Sequence, residues 1–141
     1  MATFNKFNAF VEHLAEGVHN LQSHTLKVML TNTAPVAANS VRADLTEIAA
    51  GNGYTAGGTA ASVTSSAQTS GTYKLVLGDV VFTASGGSIG PFRYAVLYND
   101  TPTSPADPLI GWWDYGSALT LANGESLNWD ADPTTGVLTL G

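Results

Sequence analysis

Phe92-Arg93-Tyr94-Ala95-Val96-Leu97-Tyr98 is the stretch on which the fold turns. Read as a strand, it sends Phe92, Tyr94, Val96 and Tyr98 to one face and Ala95 and Leu97 to the other. Both faces are then largely apolar, and such a strand belongs in the middle of a sheet with cover on each side. Downstream, Asn99 to Pro108 holds three prolines and reads as a loop. Leu109-Ile110-Gly111-Trp112-Trp113-Asp114-Tyr115 then supplies the hairpin partner. Ala118 to Leu121, Ser126 to Trp129 and Val137 to Leu140 follow as short strands, divided by the turn residues Ala122-Asn123-Gly124 and Asp130 to Gly136. Upstream, Tyr73 to Leu77 and Val80 to Ala84 flank Gly78-Asp79, a two-residue turn or a bulge. Short strands with turn signals every ~8–12 positions predict an all-β fold, a jelly-roll-like and mostly antiparallel β-sandwich, as one domain over 1–141.

The first quarter has a different texture. Phe7, Phe10, Val11, Leu14, Val18 and Leu21 recur at spacings of three and four, the stripe of an amphipathic helix. A helix is expected from about Asn5 to Glu16, capped by Asn5 or Asn8 and weakened beyond Gly17, with 1–22 forming an N-terminal arm. Thr25 to Thr31 reads as a half-buried strand with Leu26, Val28 and Leu30 inward, and Asn32 to Ser40 as loop. Asp44 to Ile48 is a short helical turn or an edge segment, and Thr59 to Gln68 an edge strand.

Composition narrows the function classes. The 141 residues carry five Lys or Arg against eleven Asp or Glu, a formal charge of −6, and no Cys. Charged residues make up 11%, well under the usual ~25%. Nucleic-acid binding, which gathers cations over phosphates, is not expected. Disorder is not expected either, because 44% of the residues are apolar. With no Cys there is no disulfide, thiolate metal site or Cys nucleophile. Met1 to Phe7 lacks the basic head and apolar run of a leader, and no window approaches the ~18 apolar residues of a membrane span. So little charge leaves a neutral exterior of Thr, Ser, Asn, Ala and Gly, suited to packing against other proteins.

Each candidate for chemistry has a plainer reading beside it. Gly51-Asn52-Gly53-Tyr54-Thr55-Ala56-Gly57-Gly58 lacks the Lys-Ser/Thr ending of a phosphate loop and precedes no helix, so unusual backbone conformation explains it better. His13, His19 and His24, spaced by six and five, do not share a helix face and read as surface residues rather than metal ligands. Asp130-Ala131-Asp132 lacks the downstream Glu of a calcium loop and reads as a turn through Pro133 and Gly136. No Gly-x-Ser-x-Gly elbow or paired-carboxylate context appears, and no enzyme, metal or cofactor is expected. Trp112, Trp113, Tyr115 and Trp129 are apt for stacking a sugar or anchoring an interface, but core packing is the commoner use. On a strand, Trp112 and Trp113 face opposite ways.

Several segments in order carry a resemblance: Thr25 to Pro35, Gly51 to Gly58, Phe92 to Asp100 and Leu109 to Gly116. With these, the chain resembles small virion structural proteins of tailed bacteriophages from about Phe4 to Leu140, some of which are head decoration (cement) proteins. The resemblance implies a non-enzymatic homo-oligomer that binds the major capsid protein on the virion surface after synthesis in the bacterial cytoplasm, without nucleic acid or membrane as partner. A tail or fibre component is the alternative, and a carbohydrate-binding module using Trp112 or Trp113 a further one. Phe4, Phe7, Phe10, Tyr54 and Trp112 are the candidate interface residues. The phenylalanine arm has an equally simple use, covering the sandwich's own open edge.

Overall fold

The computed structural model describes residues 3–141. It is an all-β, antiparallel and sandwich-like fold with one short helix near its N-terminus. In chain order the elements are β1 (Asn5–Lys6), α1 (Asn8–Ala15), β2 (Leu26–Thr31), a 3-10 turn (Arg42–Asp44), β3 (Thr59–Ala61), β4 (Val63–Thr69) and β5 (Thr72–Leu77). β6 (Val80–Thr83), β7 (Ile89–Asn99), β8 (Leu109–Leu121), β9 (Ser126–Trp129) and β10 (Leu138–Leu140) follow. A five-stranded sheet runs β1-β8-β7-β2-β3, a three-stranded sheet β10-β5-β4, and a two-stranded ribbon β6-β9.

The main core lies between the large sheet and the two smaller ones. Leu26, Val28 and Leu30 of β2, Ala95 and Leu97 of β7, and Ile110 and Trp113 of β8 meet Leu75 and Leu77 of β5, Phe82 of β6 and Trp129 of β9. The opposite face of the large sheet is also covered. There Met29, Val96, Tyr98 and Leu109 pack with Phe7, and Leu45 and Trp112 close the margin. This double cover is why β7 is apolar on both sides. It also buries both faces of β2, where a half-buried strand was expected: Met29 and Thr31 are as enclosed as Leu30.

Other departures have local causes. The helix begins at Asn8 rather than Asn5, because Asn5 and Lys6 pair with Trp112 and Gly111 of β8. Phe7 takes the cap position and no side chain caps it, its own N–H donating to the Ile110 carbonyl at 3.2 Å. Thr59 to Gln68 is two strands in different sheets, broken at Ser62. Gly78-Asp79 is neither hairpin turn nor bulge, since β5 and β6 also lie in different sheets. The two corners touch, the Gly78 N–H donating to the Ser62 carbonyl at 2.8 Å. Leu109 to Tyr115 and Ala118 to Leu121 are one long strand, with the extra residues taken up by register shifts against β7. Those shifts turn Phe92 inward beside Ala95 and Leu97 instead of placing it with Tyr94, as a one-residue slip must.

Candidate functional site

A concavity lies where β8 and β9 diverge. Trp113, Asp114, Tyr115 and Gly116 of β8 face Asn128 and Trp129 of β9 and the following Asp130 across a groove of about 610 Å³. Strand alternation places Trp113 and Tyr115 on one face, and Trp113 meets Trp129 edge to face at 5.1 Å. Trp113 and Trp129 keep only 8% and 2% of their surface, so they form the floor while Tyr115 stands half-buried at the wall. Burial pushes the Tyr115 hydroxyl up to about 12, so it is neutral at physiological pH.

The polar groups around this floor differ in freedom. Asp114 is engaged: Arg93 donates through Nε and Nη2 at 2.8 and 3.1 Å, and the Gly116 N–H adds a third bond at 2.8 Å. These bonds, the Arg93 one foremost, hold its carboxyl below the usual range. The Asn128 amide reaches Asp79 at 3.3 Å, and Asp79 also accepts the Ala131 N–H at 2.9 Å, fixing the chain after β9. Asp130 stands exposed at the rim. With Trp113 and Trp129 almost fully enclosed, the groove offers a flat ligand the half-buried Tyr115 ring, with amide and carboxylate at its edge for hydroxyls.

A second polar centre anchors the glycine-rich segment. The Glu47 carboxylate accepts from Arg42 at 2.7 Å, the Tyr54 hydroxyl at 2.5 Å and the Gly57 N–H at 2.6 Å. The Tyr54 hydroxyl also accepts the Leu30 N–H at 3.0 Å, and the Tyr98 hydroxyl donates to the Gly57 carbonyl at 2.5 Å. Burial, followed by the bond to Glu47, raises the Tyr54 hydroxyl above its ordinary range. Gly58 has φ +79°, and a Cβ there would overlap the backbone carbonyl of Val28. The glycines thus let the loop lie directly on β2, and the half-buried Glu47 carboxylate holds it there.

His19 is not the surface residue expected, while His13 and His24 are half-buried. His19 is 6% exposed, and the Asn99 amide lies 3.1 Å from its Nδ1 and 2.9 Å from that of His24. The His13 ring stands 6.1 Å from the His19 ring. Helix spacing could not reveal this, because only His13 lies on α1. Among the described residues no group of three or more His, Cys, Asp or Glu is arranged to hold a metal ion. Asp132 accepts from the Thr134 N–H at 2.8 Å and the Thr135 hydroxyl at 3.0 Å, which is turn chemistry.

The candidate interface residues are mostly interior. Phe7, Phe10 and Tyr54 are buried in the chain's own core, and Phe4 packs on Trp113 at 5.3 Å. Trp112 is half-buried under Phe7, with ring centroids 4.6 Å apart, on the face away from the groove. In this conformation the arm covers the free edge of β8, and reaching a neighbour would require its release. The sequence reading missed Glu47 and Asn99 as hubs and Asn128 and Asp130 as rim. The i, i+2 pairing of Trp113 and Tyr115 was the available signal for the groove. No helix among the described residues is long and apolar enough to cross a membrane. Comparison of the chain with protein-family models, with curated proteins and with solved structures finds no match.

Proposed function

We propose that the chain is a structural protein of a tailed-phage virion, a head decoration protein that binds the assembled shell through repeated neutral contacts and bridges capsomers. One observation carries this reading. No charged residue stands between Glu47 and Lys74, and the tip of the β4–β5 hairpin within that span, Ala67 to Thr72, is exposed throughout. Hydroxyls and amides cost far less to desolvate than charges, so such a surface suits permanent contact. A protein that binds only the assembled lattice stabilises it by mass action, and contacts repeated over many copies reinforce each other through geometry. The charge of −6 limits adhesion to DNA packed in the same particle.

The test is heat- or EDTA-induced DNA release from particles with and without the protein. Decoration predicts earlier release without it. Equal release, with the protein missing from the shell, defeats the reading, and label found on the tail by electron microscopy moves it to a tail or fibre component. The groove favours a second reading, saccharide binding. A glycan array with selective signal lost in Tyr115→Ala would establish that one.

A further inference from the structure

The outer edge of β4 is a strand template, and we infer that its occupant is the β4 of a second copy, paired antiparallel about a two-fold axis centred on Ala67. This rests on the reading of the chain as an assembly component and names the partner of the same hairpin. β4 is the terminal strand of its sheet.

The hairpin geometry sets the register. Thr69 and Thr72 pair across a two-residue turn, Ser70-Gly71, with φ of 51° and 84°. Two positive φ values in a two-residue loop define a type I′ turn, whose flanking residues exchange both backbone bonds. Alternation then assigns Thr69, Ala67 and Ser65 to bonding with β5. The N–H and C=O of Gln68 and Ser66 point the other way, to the open edge. The shift between Val63 and Ser65 lies outside this regular stretch.

Two such edges fit each other. With Ala67 opposite Ala67 of the second copy, Ser66 and Gln68 each face the other's counterpart, and all four residues exchange their bonds, four in total. The central pair is then of the non-bonded kind, with Cα atoms only about 4.5 Å apart. That spacing favours a small side chain, and alanine stands there. β4 carries no charge, so the pairing sets no like charges opposite one another despite −6 per copy. Lys74, opposite Ala67, stands one strand inward. Two copies of it would be separated by three strand spacings, about 14 Å, beyond the screening length of ordinary salt. A foreign strand would need charges for selection, and β4 offers none. A two-fold pair consumes both edges and closes.

The chain has no cysteine, so one introduced thiol reports the register. Cα separations of ~4.4–6.8 Å permit a disulfide, and Ala67→Cys should give mostly disulfide-linked dimer in a glutathione redox buffer. Ala118→Cys, also exposed but on β8, should give no disulfide-linked dimer. Equal cross-linking of the two, or none in Ala67→Cys, overturns the proposal. Gln68→Pro removes one outward N–H, along with the bond from the Gly71 N–H to Gln68 Oε1 at the turn, and leaves backbone pairing with β5 intact. It should sediment as a monomer, with an unfolding midpoint near that of the parent. If it does not fold, Ala67→Lys, which opposes two charges at the axis, replaces it. A dimer that persists in the folded variant also overturns the proposal. Mass spectrometry of purified particles separates the two claims: a monomer present on particles sinks the edge pairing alone, and a dimer absent from particles sinks the virion reading alone.

Discussion

Acid should loosen this protein well above the range in which its carboxylates titrate, and His19 sets the window. Burial, and then the charges that His13 and His24 can carry, lower His19 from 6.5 to about 4. The unfolded chain therefore takes up a proton near pH 6.5 while the folded one resists it. The stability associated with neutral His19 is complete above that value and is lost as pH falls toward 4. For this pair of pKa values the loss is negligible at pH 7.5 and about 2 kcal/mol at pH 5. Asp44, Asp114 and Asp132 are held below their ordinary range by hydrogen bonds, so their contribution fades only at lower pH. Asp107 is raised by its burial and works in the opposite sense, trimming the loss. Urea unfolding at pH 7.5 and pH 5 measures the difference, with His19→Gln as the non-titrating comparison. Its profile should be flat over the same interval. An unchanged midpoint in the parent, or an equal drop in His19→Gln, would refute the reasoning.

Four further substitutions probe the packing. Phe10→Ala empties a fully enclosed site in the main core and should cost about 3–5 kcal/mol, whereas Val11→Ala, at a position 45% exposed, should stay within about 0.5 kcal/mol; chemical denaturation compares them directly. Tyr54→Phe leaves the Leu30 N–H without its acceptor and Glu47 without one of its donors, so unfolding free energy should fall by about 1–3 kcal/mol. Gly58→Ala drives a methyl group into the β2 backbone at positive φ; a loss above ~3 kcal/mol, or failure to fold on expression, is expected.

How much of this was legible depends on the distance over which each feature is decided. The Phe92 to Tyr98 pattern announced a strand covered on both faces, and the structure supplies the two covers. The helix start was not legible, because Asn5 belongs to β8 through a pairing with Trp112, 107 residues away. Gly116-Ser117 looks like a break, yet β8 passes through it and absorbs the surplus in its register with β7. That surplus also decides which way Phe92 points, and no local pattern records it. For the candidate site, the aromatic residues were visible and their partners were not. Asn128 and Asp130 matter because β9 leaves the large sheet to pair with β6, a choice made by packing. His19 and His24 converge on Asn99 through the loop between α1 and β2, where no periodicity operates.

The pairing of β1 with β8 has a consequence for biosynthesis. Asn5 and Lys6 find their partners only when a strand more than a hundred positions later has been made. Until β7 is made, β2 lacks the neighbour it pairs with from Leu26 to Thr31, and its open edge is available to any passing chain. Such long-range closure slows folding and lengthens the interval in which nascent chains aggregate. Expression at lower temperature, or with abundant chaperone, should therefore raise the yield of native protein more than it would for a helical bundle of equal length.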